Sequence, residues 1–121
     1  MASAPREHPC PICSQTVSPS NPRYPQQVCR DCRERPCSRD GRPVHFTNVS
    51  PGDALPGMRL RAFYPDTAEP YATALCTIDG VECVADEAYM GGVVVQPLSA
   101  WRESPAWSWM RESLQEQGAD A

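Results

Sequence analysis

Cys10-Pro11-Ile12-Cys13 and Cys29-Arg30-Asp31-Cys32 are two C-x-x-C motifs separated by fifteen residues. Two residues between a pair of cysteines allow a tight turn to direct both sulfurs at one metal ion, and two such turns complete a tetrahedron. The spacing therefore predicts a four-thiolate zinc site with Cys10, Cys13, Cys29 and Cys32 as ligands. Because a closed tetrahedron leaves no position for a substrate, we expect one structural zinc per chain.

The residues around these motifs offer little that could fold without a metal. The apolar candidates for burial among the first 42 residues are Ile12, Val17, Tyr24 and Val28. Burial of each contributes roughly 1.5–3 kcal/mol, whereas ordering each residue costs roughly 1–2 kcal/mol. Zinc adds roughly 10–16 kcal/mol of apparent binding energy in comparable peptides. Residues 1–42 are therefore predicted to form a zinc-ribbon or treble-clef-like head.

The alternative interpretation of the four cysteines is a pair of disulfides. Residues 1–8 contain no apolar run typical of a signal peptide, and the longest aliphatic run is Val93-Val94-Val95, so export and membrane insertion are not expected. In the cytoplasm, which is reducing, paired C-x-x-C motifs more often hold a metal. Cys37 is interpreted as a bystander. Cys76 and Cys83 are open as core thiols, a disulfide or part of a second metal site.

The middle of the chain, residues 43–98, is predicted to be a small antiparallel β domain packed on the head. Asp79-Gly80 separates two β-prone runs and favours a type I′ hairpin that pairs Ile78 with Val81 and Cys76 with Cys83. A further strand is expected at Val93 to Gln96. Two other segments alternate apolar and polar positions, as half-buried strands do: Met58, Leu60, Ala62 and Tyr64 in one, Val44 and Phe46 in the other.

Residues 99–121 are predicted to form one C-terminal helix and a tail. Ser104 is the expected N-cap, Pro105 the first helical residue and Gly118 the stop signal. A core-facing stripe is expected at Trp107, Met110 and Leu114. With the head and the sheet, this helix completes a small α+β fold.

Charge is distributed unevenly along the chain. Residues 1–45 contain seven arginines and four acids, a net charge of +3, whereas residues 46–121 contain four arginines and eleven acids, a net charge of −7. Four thiolates and one zinc ion together carry −2, which leaves the metal-bound head near +1. Nucleic-acid binding, as by a transcription-associated regulator, is therefore the alternative rather than the leading function.

A protein partner fits the sequence better. Tryptophan and arginine are enriched among the residues that anchor protein interfaces. We expect partner-binding residues at Trp101, Arg102, Trp109 and Arg111, and the alternative is that the tryptophans cap the β core. His8 and His45 are not expected to be catalytic, and the sequence contains no Ser, His and acid grouping and no Gly-rich phosphate loop. The predicted function is a non-catalytic adaptor or antagonist, such as an immunity protein.

Several further motifs follow the cysteine head. They are Asn21-Pro22-Arg23-Tyr24-Pro25, Asp40-Gly41-Arg42-Pro43, Ile78-Asp79-Gly80-Val81-Glu82-Cys83 and Ala85-Asp86-Glu87-Ala88-Tyr89-Met90-Gly91-Gly92. In this order, over residues 8–98, the chain resembles a family of small bacterial zinc-ribbon proteins that have no assigned function. The resemblance implies the zinc head and the β domain, and it implies no activity.

Overall fold

The computed structural model describes residues 7–17, 24–49, 54–88 and 92–118, and in these it has a small α+β fold, as predicted. Residue ranges of the ten elements are β1 His8–Pro9, β2 Thr16–Val17, α1 Arg30–Arg33, β3 His45–Asn48, β4 Leu60–Phe63, β5 Leu75–Ile78, β6 Val81–Glu87, β7 Val93–Pro97, α2 Leu98–Arg102 and α3 Trp107–Glu116. The Asn21 to Tyr24 motif lies largely outside the described residues, and so do Tyr89 to Gly91.

The strands form three antiparallel sheets. Strands β1 and β2 make a short ribbon, β3 pairs with β4, and β5, β6 and β7 make a three-stranded sheet in that order. The predicted hairpin is confirmed, since Ile78 pairs with Val81 and Cys76 with Cys83. Both turn residues have positive φ, +49° at Asp79 and +80° at Gly80, as a type I′ turn requires.

The three-stranded sheet is buried on both faces. Successive residues of β6 point to opposite faces, and the four residues from Cys83 to Asp86 are all buried. Val81 is 37% exposed, because it directly follows the turn. Strands β3 and β4 show the predicted alternation, with Phe46, Leu60 and Ala62 buried and their neighbours exposed or partly exposed.

The segment between residues 26 and 37 crosses the three-stranded sheet from one edge strand to the other. The Val28 N–H donates to the carbonyl oxygen of Val95 in β7 at 2.9 Å. At the opposite edge, the N–H of Cys37 donates to the carbonyl of Thr77 in β5 at 2.8 Å. The N–H of Thr77 donates to the carbonyl of Cys37, also at 2.8 Å. Both edge strands are therefore partly paired by the chain segment that carries Cys29 and Cys32.

The C-terminal region differs from the single helix predicted, since it contains two helices, α2 and α3. The N–H of Ser104 donates to the carbonyl of Trp101 at 2.9 Å and closes α2, so Ser104 is not the N-cap of the next helix. Helix α3 begins at Trp107 after Ala106, without a side-chain cap. Gly118 follows the helix with φ of +77°, as predicted for a stop residue.

One hydrophobic cluster runs through the described residues. It includes Cys10 and Val28 of the predicted head, Leu60 and Val84 of the predicted β domain, and Met110 of α3. The three predicted segments therefore share a core. Within the described part of the chain, no helix is both long enough and apolar enough to cross a membrane.

Candidate metal centre

The first C-x-x-C motif lies in a turn that connects β1 to β2. The N–H of Ser14 donates to the Cys10 carbonyl at 2.9 Å, and the N–H of Cys10 donates to the Gln15 carbonyl at 2.7 Å. Ser14 has φ of +68°, in the left-handed region that usually favours glycine. A serine thus occupies a position where such turns often have glycine, and Ser14 takes the strained conformation itself.

The second motif begins helix α1. Cys29 is the N-cap, with extended backbone, and its sulfur accepts the N–H of Cys32 at 3.5 Å. The N–H of Arg33 donates to the Cys29 carbonyl at 2.9 Å. Arg33 continues the helix, so no residue in the left-handed region is needed after Cys32. Arginine therefore fits at a position where the second C-x-x-C turn of such sites often has glycine.

These two turns bring the four predicted ligands together. The sulfur atoms of Cys10, Cys13, Cys29 and Cys32 all lie within 4.8 Å of one another, so this group can hold a metal ion. The Sγ atoms of Cys13 and Cys29 are 3.5 Å apart. A tetrahedral ion with 2.3 Å bonds to sulfur requires sulfur atoms about 3.8 Å apart, so the observed cluster is close to that size. Cys13 is exposed and the other three are buried.

Hydrogen-bond donors surround the buried sulfurs. The Cys10 sulfur accepts the N–H groups of Ile12 at 3.4 Å and Cys29 at 3.3 Å. Burial raises the pKa of the Cys10 thiol. Hydrogen bonds from backbone N–H groups, first that of Cys29, lower this pKa by a larger amount, so its net value is about 6. Burial and the neighbouring Cys29 raise the pKa of Cys32 to about 12. Several thiolates this close together repel one another, and a bound metal ion would offset that repulsion.

Arg35 is a part of this site that the sequence analysis missed. Its guanidinium donates to the Cys32 sulfur at 3.4 Å and makes two hydrogen bonds to the Asp79 carboxylate, at 2.9 and 3.2 Å. One side chain thus connects the cysteine cluster to the turn of the β5–β6 hairpin. Its position three residues after Cys32, at the end of a short helix, was the available signal.

The other cysteines and histidines lie outside the group. All seven cysteines are free, and burial raises the pKa of the thiols of Cys76 and Cys83, the latter to about 12. Both are therefore core thiols. The Cys37 thiol donates to the Arg35 carbonyl at 3.8 Å, consistent with a bystander. The Nε2 of His8 donates to the Gln27 carbonyl at 2.8 Å, a bond that positions the ribbon beside α1.

The four residues predicted to bind a partner do not form one surface. Trp101 is only 2% exposed, and its indole N–H donates to the Val84 carbonyl at 3.0 Å, so its assignment as an exposed anchor is wrong. Arg102, Trp109 and Arg111 are exposed. Trp109 and Arg111 are two residues apart on α3, which places them about 200° apart around the helix axis. The guanidinium of Arg102 lies 5.8 Å from the centre of the Trp107 ring.

Comparison of the chain with protein-family models, with curated proteins and with solved structures finds no match in any of the three. The resemblance to small bacterial zinc-ribbon proteins therefore stays a prediction from the quoted motifs.

Proposed function

We propose that this chain is a non-catalytic zinc protein that binds another protein, as an adaptor or antagonist. The metal is proposed to be zinc because four cysteine sulfurs in a cluster of tetrahedral size are the ligand set that structural zinc prefers. One ion uses all four sulfurs, so the site supplies stability and not catalysis. The free thiols suit a reducing compartment, so the proposed location is the cytoplasm.

The observation that carries the proposal of a protein partner is the exposure of Trp109. Among the described residues, the large hydrophobic side chains exposed to solvent are Trp109, at 40%, and Val81, at 37%. Trp109 lies on α3, which buries Met110 and Leu114. An indole held on a helix that is anchored in the core is a rigid apolar group, as interface anchors are.

The surface around Trp109 differs from the one predicted. Glu112, three residues after Trp109 on α3, is exposed, whereas Ser113, four residues after Trp109, is buried. Arg111 lies instead on the side of Trp107. The proposed contact is thus centred on Trp109, with Arg102 and Arg111 belonging to a separate face.

The arrangement of the arginines favours a protein over a nucleic acid. Ion pairs join Arg30 to Glu34, Arg35 to Asp79, Arg39 to Glu82, and Arg42 to both Asp66 and Glu69. These four arginines supply most of the positive charge of residues 1–45. Since each is already beside a carboxylate, these four arginines present less positive charge to a phosphate backbone.

The test is affinity purification of the tagged full chain from its native host, with zinc measured in the same sample. We expect one zinc per chain and a co-purified protein that is lost with Trp109→Ala. Val81→Ala is the matched control, because it removes the other exposed hydrophobic side chain and should leave the complex intact. Both variants should keep the unfolding temperature of the parent within a few degrees.

Two outcomes would contradict the proposal. Retention of the protein partner by Trp109→Ala, in a variant that still carries one zinc, would move the interface elsewhere. Co-purified nucleic acid, with a specific complex tighter than about 10⁻⁷ M at physiological salt, would establish the alternative function.

A further inference from the structure

A cavity of about 330 Å³ lies beside β5, away from the cysteine cluster. Tyr64, Tyr71 and Leu75 give it apolar walls, and Arg39, Asp40 and Glu82 give it charged ones. The volume is at the lower end of the range for small-molecule sites, so it suits a ligand of only a few heavy atoms.

The charged wall is built from a constrained turn, residues 38–42. The N–H of Ser38 donates to the carbonyl of Arg42 at 2.8 Å, and the N–H of Gly41 donates to the carbonyl of Ser38 at 2.9 Å. The buried hydroxyl of Ser38 also donates to the carboxylate of Asp40. This turn contains most of the Asp40-Gly41-Arg42-Pro43 motif. The motif has no part in the proposed zinc site, but it forms one side of the cavity.

The aromatic wall is constrained as well. The Tyr71 hydroxyl donates to the Leu75 carbonyl at 2.6 Å, and the ring of Tyr71 packs edge-to-face on Tyr64 with centroids 5.5 Å apart. The Arg42 guanidinium already lies 3.8 Å from the centre of the Tyr64 ring. This contact shows that a tyrosine of this wall accommodates a cation against its ring.

The ionisation of the lining gives the cavity a negative charge. Hydrogen bonding from Ser38 holds the pKa of the Asp40 carboxyl below its ordinary value. Burial raises the pKa of the Tyr71 phenol to about 12 and also raises that of the Cys76 thiol, so both are neutral at pH 7. Arg39 pairs with Glu82 at 3.4 Å, and the carboxylate of Asp40 is left in excess. The lining is therefore anionic by about one charge.

We propose that this cavity binds a small organic cation, an alkylammonium group whose stem lies on Leu75 and the tyrosine rings and whose charge lies between Asp40 and Glu82. Arg39 competes with that ligand for Glu82. Its side chain is 66% exposed and that of Glu82 is 51% exposed, so their ion pair is weak and can exchange. The ligand group is either a free amine or a lysine side chain of another protein, since the two present the same chemistry.

The test is titration of the zinc-loaded full chain, ¹⁵N-labelled, with n-butylammonium, followed by amide chemical shifts. We expect saturable changes at Asp40 and Thr77, with a Kd in the millimolar range, and none at Ile12 beside the metal centre. Sodium butyrate, with the same stem and the opposite charge, should produce no saturable change. The Kd of spermidine is then compared with that of N-acetyl-lysine methylamide. Tighter binding of spermidine identifies a free polyamine as the ligand, and tighter binding of the lysine derivative identifies a lysine side chain of another protein.

Three substitutions separate this proposal from an anion site. Glu82→Gln should weaken n-butylammonium binding about fivefold, which is the change in Kd expected for loss of one half-exposed ionic contact. Arg39→Met should instead strengthen it several-fold, because the internal competitor is removed. Arg111→Met changes the net charge equally on α3 and should leave the Kd within a factor of two.

The opposite pattern would overturn the proposal. Saturable butyrate binding that Arg39→Met abolishes would make the cavity an anion site. The amide shifts of Asp40 and Thr77 could also stay unchanged with n-butylammonium up to about tenfold above a millimolar Kd. The cavity would then be a solvent-filled gap and not a binding site. Neither result depends on Trp109, so the proposed protein partner stands or falls separately.

Discussion

Replacement of Gly57 by alanine should destabilise the protein more than any other glycine substitution among the described residues. Gly57 has φ of +77°, and a Cβ built there would lie 2.2 Å from the Oγ and 3.0 Å from the Cβ of Ser113 in α3. A left-handed alanine costs about 1–2 kcal/mol and the forced overlap about 1–3 kcal/mol. The expected loss in the free energy of unfolding is therefore about 2–5 kcal/mol, a large share of the roughly 6–18 kcal/mol typical of 121 residues.

Gly118→Ala is the matched control for this change. Gly118 also has φ of +77°, but a Cβ there would meet nothing within 4 Å, so only the backbone cost of about 1–2 kcal/mol applies. The difference between the two variants measures the overlap with Ser113 alone. Addition of Ser113→Ala to Gly57→Ala should recover part of the loss, because it removes the nearer atom and leaves the Cβ.

The measurement is urea unfolding at a fixed excess of zinc, followed by tryptophan fluorescence, which reports on the buried Trp101. Equal losses for Gly57→Ala and Gly118→Ala would refute the reasoning, because the overlap with α3 would then have no energetic consequence. A double variant no more stable than Gly57→Ala would refute it too. Either result would mean that the loop before β4 can move away from α3.

Three further predictions concern the metal centre and one buried acid. Cys29→Ser should abolish the binding of one zinc per chain, measured by elemental analysis, and unfold the chain, since roughly 10–16 kcal/mol of binding energy is lost. Arg35→Met should weaken zinc affinity about tenfold in a chelator competition, as expected for a hydrogen bond to a ligand. Arg39→Met, which removes another exposed ion pair but no sulfur contact, should leave the affinity unchanged. Burial raises the pKa of Asp86 to about 7, so the folded protein keeps a proton that the unfolded chain loses near pH 4. The free energy of unfolding should therefore fall as pH rises from about 4 to about 7, and Asp86→Asn should flatten that dependence in urea unfolding at saturating zinc. A steeper loss in Asp86→Asn would contradict the last of these, and equal effects of the two arginine changes would contradict the second.

Local signals predicted most of what positions the metal centre. The C-x-x-C spacing gave the correct four sulfurs, and Asp79-Gly80 gave the hairpin and its register, because both depend on residues close together in the chain. Phe46 and Leu60 were recognised as buried because strand alternation carries that information without knowledge of the partner strand.

Long-range contacts were beyond such signals. The contact between Arg35 and Asp79 joins residues 44 positions apart, and nothing in the sequence near either residue specifies it. Trp101 was taken as exposed because the one expected helix began after Ser104, which left Trp101 outside its apolar stripe. In the structure it belongs to α2, which packs against β6 and β7, and so it faces the core.

If the cysteine cluster binds a metal as proposed, the crossing of residues 26–37 over the three-stranded sheet links the supply of that metal to the stability of the sheet. The segment is tied to Val95 at one edge and to Thr77 at the other, so release of its cysteines also frees both edge strands. A metal that binds only the folded cluster stabilises the sheet with it, by about 1.4 kcal/mol for each tenfold excess over its Kd. A cell short of that metal would therefore hold this chain with open strand edges, the form that proteases cut and that other chains add to.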